Sequence, residues 1–430
     1  GRDERDSVRP IASAAVCTTE KALDQRFSKD KTFISFHWRD QRGPEVPMSP
    51  TTIFDIPTPS LILDRAKLMK NILRMADAAK RNNVALRPHM KSGKCIDVAR
   101  LAIEGQAGGV AVSTLKEAEY FANYGILDIQ YAVCVLPDQL ERVASIQQKG
   151  ACLTLITDSV EVAQVICERG KELDTTFSVQ VELDCGEGRS GVFADSKELI
   201  EIARLAHEAS YARFAGVITH AGHSYQCRSI SEIEEVAEME RSTAVVAAQQ
   251  IRSHGIPCAT VSIGSTPTAL HARSLDGVTE VRPGVYMFGD MFQAQINSCD
   301  VDDLAVTVIA EVCSHRVSLN RLLINAGALA LSKDRSTENM PDDVGFGLVT
   351  DAKGQPLKQR MKVARVHQEH GQVPVVGGVS FEDLPVGTRL RVYPNHVCMT
   401  AAMYDQFHLV DSDRGDGCEI ITTWPRINGW

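Results

Sequence analysis

The chain has 430 residues, 44% of them hydrophobic and 23% charged, and a formal net charge of −9. That length allows two or three domains around a sizeable core, and the acidic balance argues against nucleic acid or an anionic membrane as main partner. No apolar run reaches the roughly 18 residues of a membrane span, and twelve cysteines without any Cys-x-x-Cys spacing fit a reducing compartment rather than a disulfide framework.

Residues 1–50 are polar, lack a secretory apolar stretch, and read as an N-terminal extension, partly disordered or packed on the β domain. The expected compartment is the cytoplasm, or an organelle if this extension is the remnant of a targeting segment. After a Pro57-Thr58-Pro59 breaker, Ser60 to Leu63 reads as a short apolar strand. Asp64 then caps a helix with apolar positions Leu68, Ile72, Met75, Ala76 and Ala79.

A strand–helix alternation follows, with strands at 84–86, 109–112, 129–135, 152–156, 178–183, 215–219, 259–263 and 278–287. Thr114-Leu115-Lys116-Glu117 reads as a capping box, and Asp158 heads a helix over 159–169. Strands that are continuous and apolar, separated by helices, predict a closed parallel (β/α)8 barrel over residues 57–292. An open doubly wound sheet would need a glycine-rich phosphate loop after its first strand, and none is present.

Beyond the barrel the pattern turns to period two at 304–312, 322–324, 360–368 and 389–393, with glycine and proline turns between. Residues 300–430 therefore read as a mostly β domain. The stretch from Ser332 to Asp343 is a polar loop long enough to be functional.

The chemistry gathers where barrel strands end. Arg87-Pro88-His89-Met90-Lys91-Ser92-Gly93-Lys94 closes the first strand, and alternation puts His89 and Lys91 on one face. The reading there is a desolvated amine available as a nucleophile, the prerequisite for a Schiff base with an aldehyde such as pyridoxal phosphate (PLP). The fifth strand ends in a glycine turn bearing Arg189. The sixth ends in His220-Ala221-Gly222-His223-Ser224-Tyr225, and the eighth carries Tyr286. After the seventh, Gly264-Ser265-Thr266-Pro267-Thr268 is an anion nest at a helix start. In the β domain, His396-Val397-Cys398 places an imidazole and a thiolate two residues apart, a soft donor pair that suits zinc. Glu369 and His370 supply a carboxylate and an imidazole to stand behind it.

In order along the chain, these blocks resemble the fold-type III PLP enzymes, more narrowly the D-serine dehydratase and D-threonine aldolase group. The resemblance spans about residues 57 to 425 and implies an alanine racemase N-terminal-like barrel, a C-terminal β domain, and a homodimer with active sites at the interface. It also implies Lys91 as the Schiff-base lysine with His89 beside it, and Arg189 on the cofactor's phenolic oxygen. Tyr225, Gly264, Ser265, Thr266 and Tyr286 would hold the phosphate, with His220 near the ring. His396 and Cys398 would bind a divalent metal, zinc before manganese or magnesium.

The activity so implied is a lyase acting on small β-hydroxy-D-amino acids, as a dehydratase giving keto acid and ammonia. The alternative is retro-aldol cleavage to glycine and an aldehyde, and a remote one is a non-catalytic PLP carrier. His-x-Cys, where bacterial aldolases of the group carry His-x-Asp, leans toward dehydration. Phe288, where racemases place a tyrosine, argues against racemase activity.

Overall fold

A computed structural model describes residues 51–430; the N-terminal extension expected over residues 1–50 lies outside the described residues. Among the described residues no helix is long and apolar enough to cross a membrane. Eleven cysteines there are free thiols.

The chain enters through β1 (Ser60–Asp64) and α1 (Arg65–Arg81). Asp64 Oδ1 accepts from the N–H of Ala66 at 3.1 Å and caps α1, whose Leu68, Ile72, Met75 and Ala79 are buried at helical spacing. Eight parallel strands then make one curled sheet. They are β2 (Ala85–Leu86), β3 (Val110–Val112), β4 (Asp128–Cys134), β5 (Cys152–Thr157), β6 (Phe177–Leu183), β7 (Ala212–Thr219), β8 (Thr260–Ile263) and β9 (Glu280–Val281).

Their order is β2-β9-β8-β7-β6-β5-β4-β3. A parallel bridge between His89 and Ala111, with Met90 N–H donating to Ala111 O at 2.8 Å, joins the two edges. Each strand falls in a segment where the alternation predicts one, but the eighth, expected over 278–287, is only Glu280–Val281, and Tyr286 lies beyond it in a 3-10 turn, Val285–Met287. The connecting helices are α2 (Ile96–Ile103), α3 (Leu115–Asn123), α4 (Leu140–Gln148), α5 (Val160–Glu172), α6 (Lys197–Glu208), α7 (Ile230–Ser253) and α8 (Thr266–His271).

Two local expectations change. Glu117 does not close a reciprocal box with Thr114. Its carboxylate takes the N–H of Ser113 at 3.2 Å and pairs with Lys94 at 3.2 Å. Ser159 rather than Asp158 caps α5, and Asp158 instead accepts from Gly191 N–H at 2.8 Å.

The second sheet holds β10 (Val306–Arg316), β11 (Arg321–Ile324), β12 (Gly347–Asp351), β13 (Met361–Lys362), β14 (Arg365–Val366), β15 (Gly371–Pro374), β16 (Arg389–Pro394), β17 (Gln406–Val410) and β18 (Thr422–Pro425). Its main path runs β13-β12-β16-β10-β1-β17-β18. The strand at Ser60, inside the 57–292 segment read as barrel, is thus laced into this sheet. It pairs antiparallel with β10 and parallel with β17. All five of its residues are buried, which an outer strand ahead of the barrel would not achieve.

Three short helices, α9 (Met291–Gln295), α10 (Ala328–Leu331) and α11 (Val397–Ala401), complete the chain. Asp290, 1% exposed, ties barrel to β domain by accepting from Gln293 N–H at 2.7 Å and Val397 N–H at 3.0 Å.

Candidate active site

A cavity of about 780 Å³ opens at the C-terminal ends of the barrel strands, with α11 and the loop around Asp334 contributing from the β domain. Lys91, His89, Arg189, His220, Tyr225, Gly264, Ser265, Thr266, His396 and Cys398 all line it. Residues separated by three hundred positions in sequence therefore share one wall.

Lys91 sits on a turn just past the His89 bridge and is exposed into the cavity, not desolvated as the strand-end reading expected. Its backbone N–H donates to His89 Nδ1 at 3.3 Å, which fixes the ring's orientation. Burial, then the charges of Lys91, Arg282 and His220, push the His89 pKa well below its ordinary value, so the ring is neutral. His220 is lowered to about 3, first by burial and then by Lys91 and Arg189. Its Nδ1 lies 3.2 Å from Gly264 O. A carbonyl only accepts, so Nδ1 carries the proton and Nε2 is left as an acceptor.

The segment after β8 is built to meet an anion. Gly264 has φ +119, and a Cβ there would stand 3.0 Å from Arg282 N, so only glycine fits without strain. Its N–H and that of Ala221 both go to the buried Glu240 Oε1, at 3.0 and 2.8 Å, which locks the loops after β7 and β8 together. Ser265 Oγ lies 2.8 Å from Ser224 Oγ. Thr266 Oγ1 accepts from Tyr286 N–H at 3.1 Å, which leaves its own hydroxyl proton free to donate into the cavity.

Tyr286 itself is not on the wall. It is 3% exposed behind Thr266, with its phenol oxygen buried and unpartnered. Burial raises the Tyr225 phenol above its ordinary range, so it stays a proton donor. Its ring packs 6.4 Å from His220 and 6.3 Å from Phe292 between centroids.

Arg189 is half exposed and pairs loosely with Glu182 at 3.7 Å and Glu187 at 3.6 Å. Beneath it the barrel interior is polar. Arg282, 5% exposed, donates to Ser262 Oγ at 2.6 Å and Thr219 O at 2.5 Å.

At the other end, His396 and Cys398 do not meet by strand alternation. His396 is the extended N-cap of α11 (φ −133, ψ 102), and Cys398 lies in the helix's first turn. His396 Nδ1 is 2.5 Å from Asp334 Oδ2, and Ser336 Oγ donates to Asp334 Oδ1 at 2.9 Å. Burial opposes charge on His396, but Asp334 and Cys398 outweigh it and raise its pKa to about 11. Burial likewise opposes the Cys398 thiolate, yet His396, Lys91 and Ser92 bring the thiol below its ordinary pKa. A thiolate and an imidazole whose far nitrogen is held by a carboxylate are the donor set of a zinc-type site, so the residues present fit a metal.

Glu369 and His370, expected behind this pair, are instead exposed on the turn between β14 and β15. Asp334 stands in their place. It lies in the polar loop from Ser332 to Asp343, which Asn395 fastens to the His396 segment through Thr337 Oγ1 at 2.7 Å and Gly345 O at 2.6 Å. Sequence reasoning marked that loop but no residue in it. It also missed Ser92, Glu240 and Asp290, which have partners in remote elements, and Arg228, whose partners lie in its own loop.

The alanine racemase N-terminal domain family matches residues 63–291 and the serine dehydratase domain family residues 305–410. A D-threo-3-hydroxyaspartate dehydratase of Delftia sp. strain HT23 is 39% identical over 384 residues, covering 88% of this chain and 99% of that one. Its solved structure superposes with a TM-score of 0.84, covering 88% of this chain and all of that one. A Cys→Ala mutant of it has been solved in a metal-free form. A D-serine dehydratase of Dictyostelium discoideum is 30% identical over 400 residues (88% and 98% covered), and a D-threonine aldolase of Arthrobacter sp. 30% over 359 residues (81% and 88%). The chain belongs to the fold-type III PLP-dependent lyases, in the metal-binding group that joins an alanine racemase-type barrel to a serine dehydratase β domain.

Proposed function

We propose that the chain dehydrates β-hydroxy-D-amino acids to a keto acid and ammonia, using PLP at Lys91 and a zinc ion at His396 and Cys398. The observation that carries this reading is the meeting of those two stations in one cavity, with Ser92 Oγ 2.8 Å from Cys398 Sγ. When bound, PLP supplies an electron sink for the charge left at Cα, and the metal supplies Lewis acidity at the β-oxygen.

The chain's own residues do the rest. Lys91 Nζ, exposed into the cavity, is the amine placed to take the α-proton, and neutral His89 holds its turn. Thr266, Ser265 and Tyr225, which line the cavity, would hold the cofactor's phosphate. Arg189 would supply a cation to its phenolic oxygen, and His220 would stand near its ring. Asp334 orients His396 so that its remaining nitrogen faces the cavity.

Dehydration is favoured over aldol cleavage by the same carboxylate. Both Asp334 oxygens are engaged, by His396 and Ser336, so Asp334 is not free to deprotonate the substrate's β-hydroxyl. Aldol cleavage is the second reading, supported by the related D-threonine aldolase. A non-catalytic carrier would need neither the metal pair nor the second sheet. A homodimer with its sites near the interface is part of this reading, supported by the exposed Val133, Leu136 and Phe193 on the barrel rim beside the cavity. Chelation tests the proposal: keto acid formation from D-serine should stop while the cofactor's visible absorption persists. Full activity in metal-free protein would refute it.

A further inference from the structure

Glu369 and His370 sit on the turn that joins β14 to β15, and these strands pair through β11 with the end of β10. A second cavity, of about 240 Å³, lies there, with Arg316, Arg321, His367, His370, Gln372 and Leu323 on its wall. None of its residues belongs to the active-site cavity.

Strand register gathers positive charge at this place. Arg316 of β10 stands directly opposite Arg321 of β11, and Arg365 of β14 directly opposite Gln372 of β15. Gln372 is also the partner of Leu323, two residues on from Arg321. Directly paired residues, and residues two apart on one strand, share a sheet face, so the three arginines emerge on one side. Like charges directly opposite each other cost stability. Among the described residues no carboxylate pairs with Arg316, Arg321 or Arg365, although the chain as a whole carries a net charge of −9. Glu369, between the two histidines in sequence, takes the side-chain amide of Gln368 at 3.2 Å.

The donors are also held in place. Arg321 Nη1 donates to Gln372 Oε1, and Gln372 Nε2 lies 3.0 Å from His367 Nε2. With its oxygen taken by Arg321, the amide presents N–H to the ring, so His367 Nε2 accepts and Nδ1 carries the proton. Arg321 keeps Nη2 for a ligand, and among the described residues nothing engages the Arg316 guanidinium. A single carboxylate fills one guanidinium fork. Two forks from opposed strands, with histidines beside them, suit an anion whose oxygens point several ways, and such an anion turns the repulsion into charge-assisted bonds.

We infer that this groove is an anion site for a small, doubly charged oxyanion of the phosphate class, free or as a phosphate monoester. Its volume admits a small molecule only. The inference stands apart from the lyase reading, and its test uses no turnover.

Holoenzyme, its active site filled by cofactor, is dialysed against inorganic phosphate and, separately, glycerol 3-phosphate, with ionic strength held constant by sodium chloride. Saturable binding at one site per chain is expected, and the tighter of the two probes distinguishes free ion from ester. Arg321→Met and Arg316→Met should each weaken binding about 10- to 100-fold, the loss of a charge-assisted bond, with the cofactor's absorption unchanged. Without phosphate, Arg316→Met should unfold at a denaturant midpoint no lower than wild type, because it relieves the opposed charges; phosphate should then raise the wild-type midpoint alone. Absence of saturable binding, binding undiminished in both variants, or an equal rise in midpoint with chloride would each overturn the site. Self-association lost in the variants, with no phosphate bound by wild type, would give this face to a second copy of the chain and overturn it as well.

Discussion

The hydroxyl of Ser92 lies 2.8 Å from the thiol of Cys398, although 306 positions separate them in the chain. Through that contact the turn carrying Lys91 touches the helix carrying a metal ligand, so the spacing of the two stations is set by packing between the domains. Arg426 reinforces it from below. Its buried guanidinium donates to Ser92 O at 3.2 Å, Gly93 O at 3.1 Å and Tyr404 O at 2.7 Å, and lies 4.9 Å from the Phe407 ring centroid.

Two lysines three residues apart, Lys91 and Lys94, have opposite surroundings, and their variants should separate cleanly. Lys91→Ala should abolish the absorption of the lysine-bound cofactor while leaving the denaturant midpoint unchanged. Lys94 pairs at 3.2 Å with the fully buried Glu117, so Lys94→Ala should keep the absorption and lose about 3–5 kcal/mol of stability. The reverse pattern would reassign the cofactor to Lys94.

Asp334 is expected to act on the metal through His396. Asp334→Ala should weaken metal affinity about 10- to 100-fold, read by retained metal after titration with a competing chelator. Ser336→Ala, which removes only a bond to the far oxygen, should do much less. Equal retention in wild type and Asp334→Ala would contradict the arrangement.

Replacing Arg426 with methionine strips charge-assisted bonds from Ser92 O and Gly93 O, while Tyr404 O keeps its bond from Asn428 Nδ2 at 3.0 Å. At about 1.5 kcal/mol or more for each such bond, a loss of at least ~3 kcal/mol is expected in urea or guanidinium unfolding. A midpoint within experimental error of wild type would show that the C-terminal strand does not clamp the lysine turn.

How much of this was legible from the residues alone can be judged element by element. The barrel was, because buried parallel strands are continuous apolar runs and the helices between them are amphipathic. The cavity residues at strand ends were, because the fold directs those ends to one face. The placement of Ser60–Asp64 was not: its partners Val306–Ile309 and His408–Val410 are hundreds of residues away, and apolarity alone does not name a sheet. Asp334 hid for a similar reason, since one aspartate in a polar loop carries no periodic signal until Asn395 brings it to His396. Exposure of Lys91 followed from the width of the cavity, which no local pattern encodes.

The depressed histidine at position 220 makes a prediction about pH in cofactor-free protein. Its folded pKa is about 3 against about 6.5 unfolded, so the unfolded chain takes up a proton that the folded one refuses. Stability should therefore be unaffected above about pH 6.5 and fall as pH drops toward 3. The limiting slope is about 1.4 kcal/mol per pH unit, an upper bound because the ring is partly exposed. His89 adds to it with the same sign. Denaturant midpoints between pH 7 and 5 should fall less steeply in His220→Asn. An identical slope would mean the ring is not held neutral.

The most direct test of the account is the product formed from D-threonine by the metal-loaded holoenzyme, resolved by chromatography with ammonia assayed in parallel. Dehydration predicts 2-oxobutanoate and ammonia in equal amounts, both lost on chelation. Glycine and acetaldehyde without ammonia would contradict the dehydratase assignment.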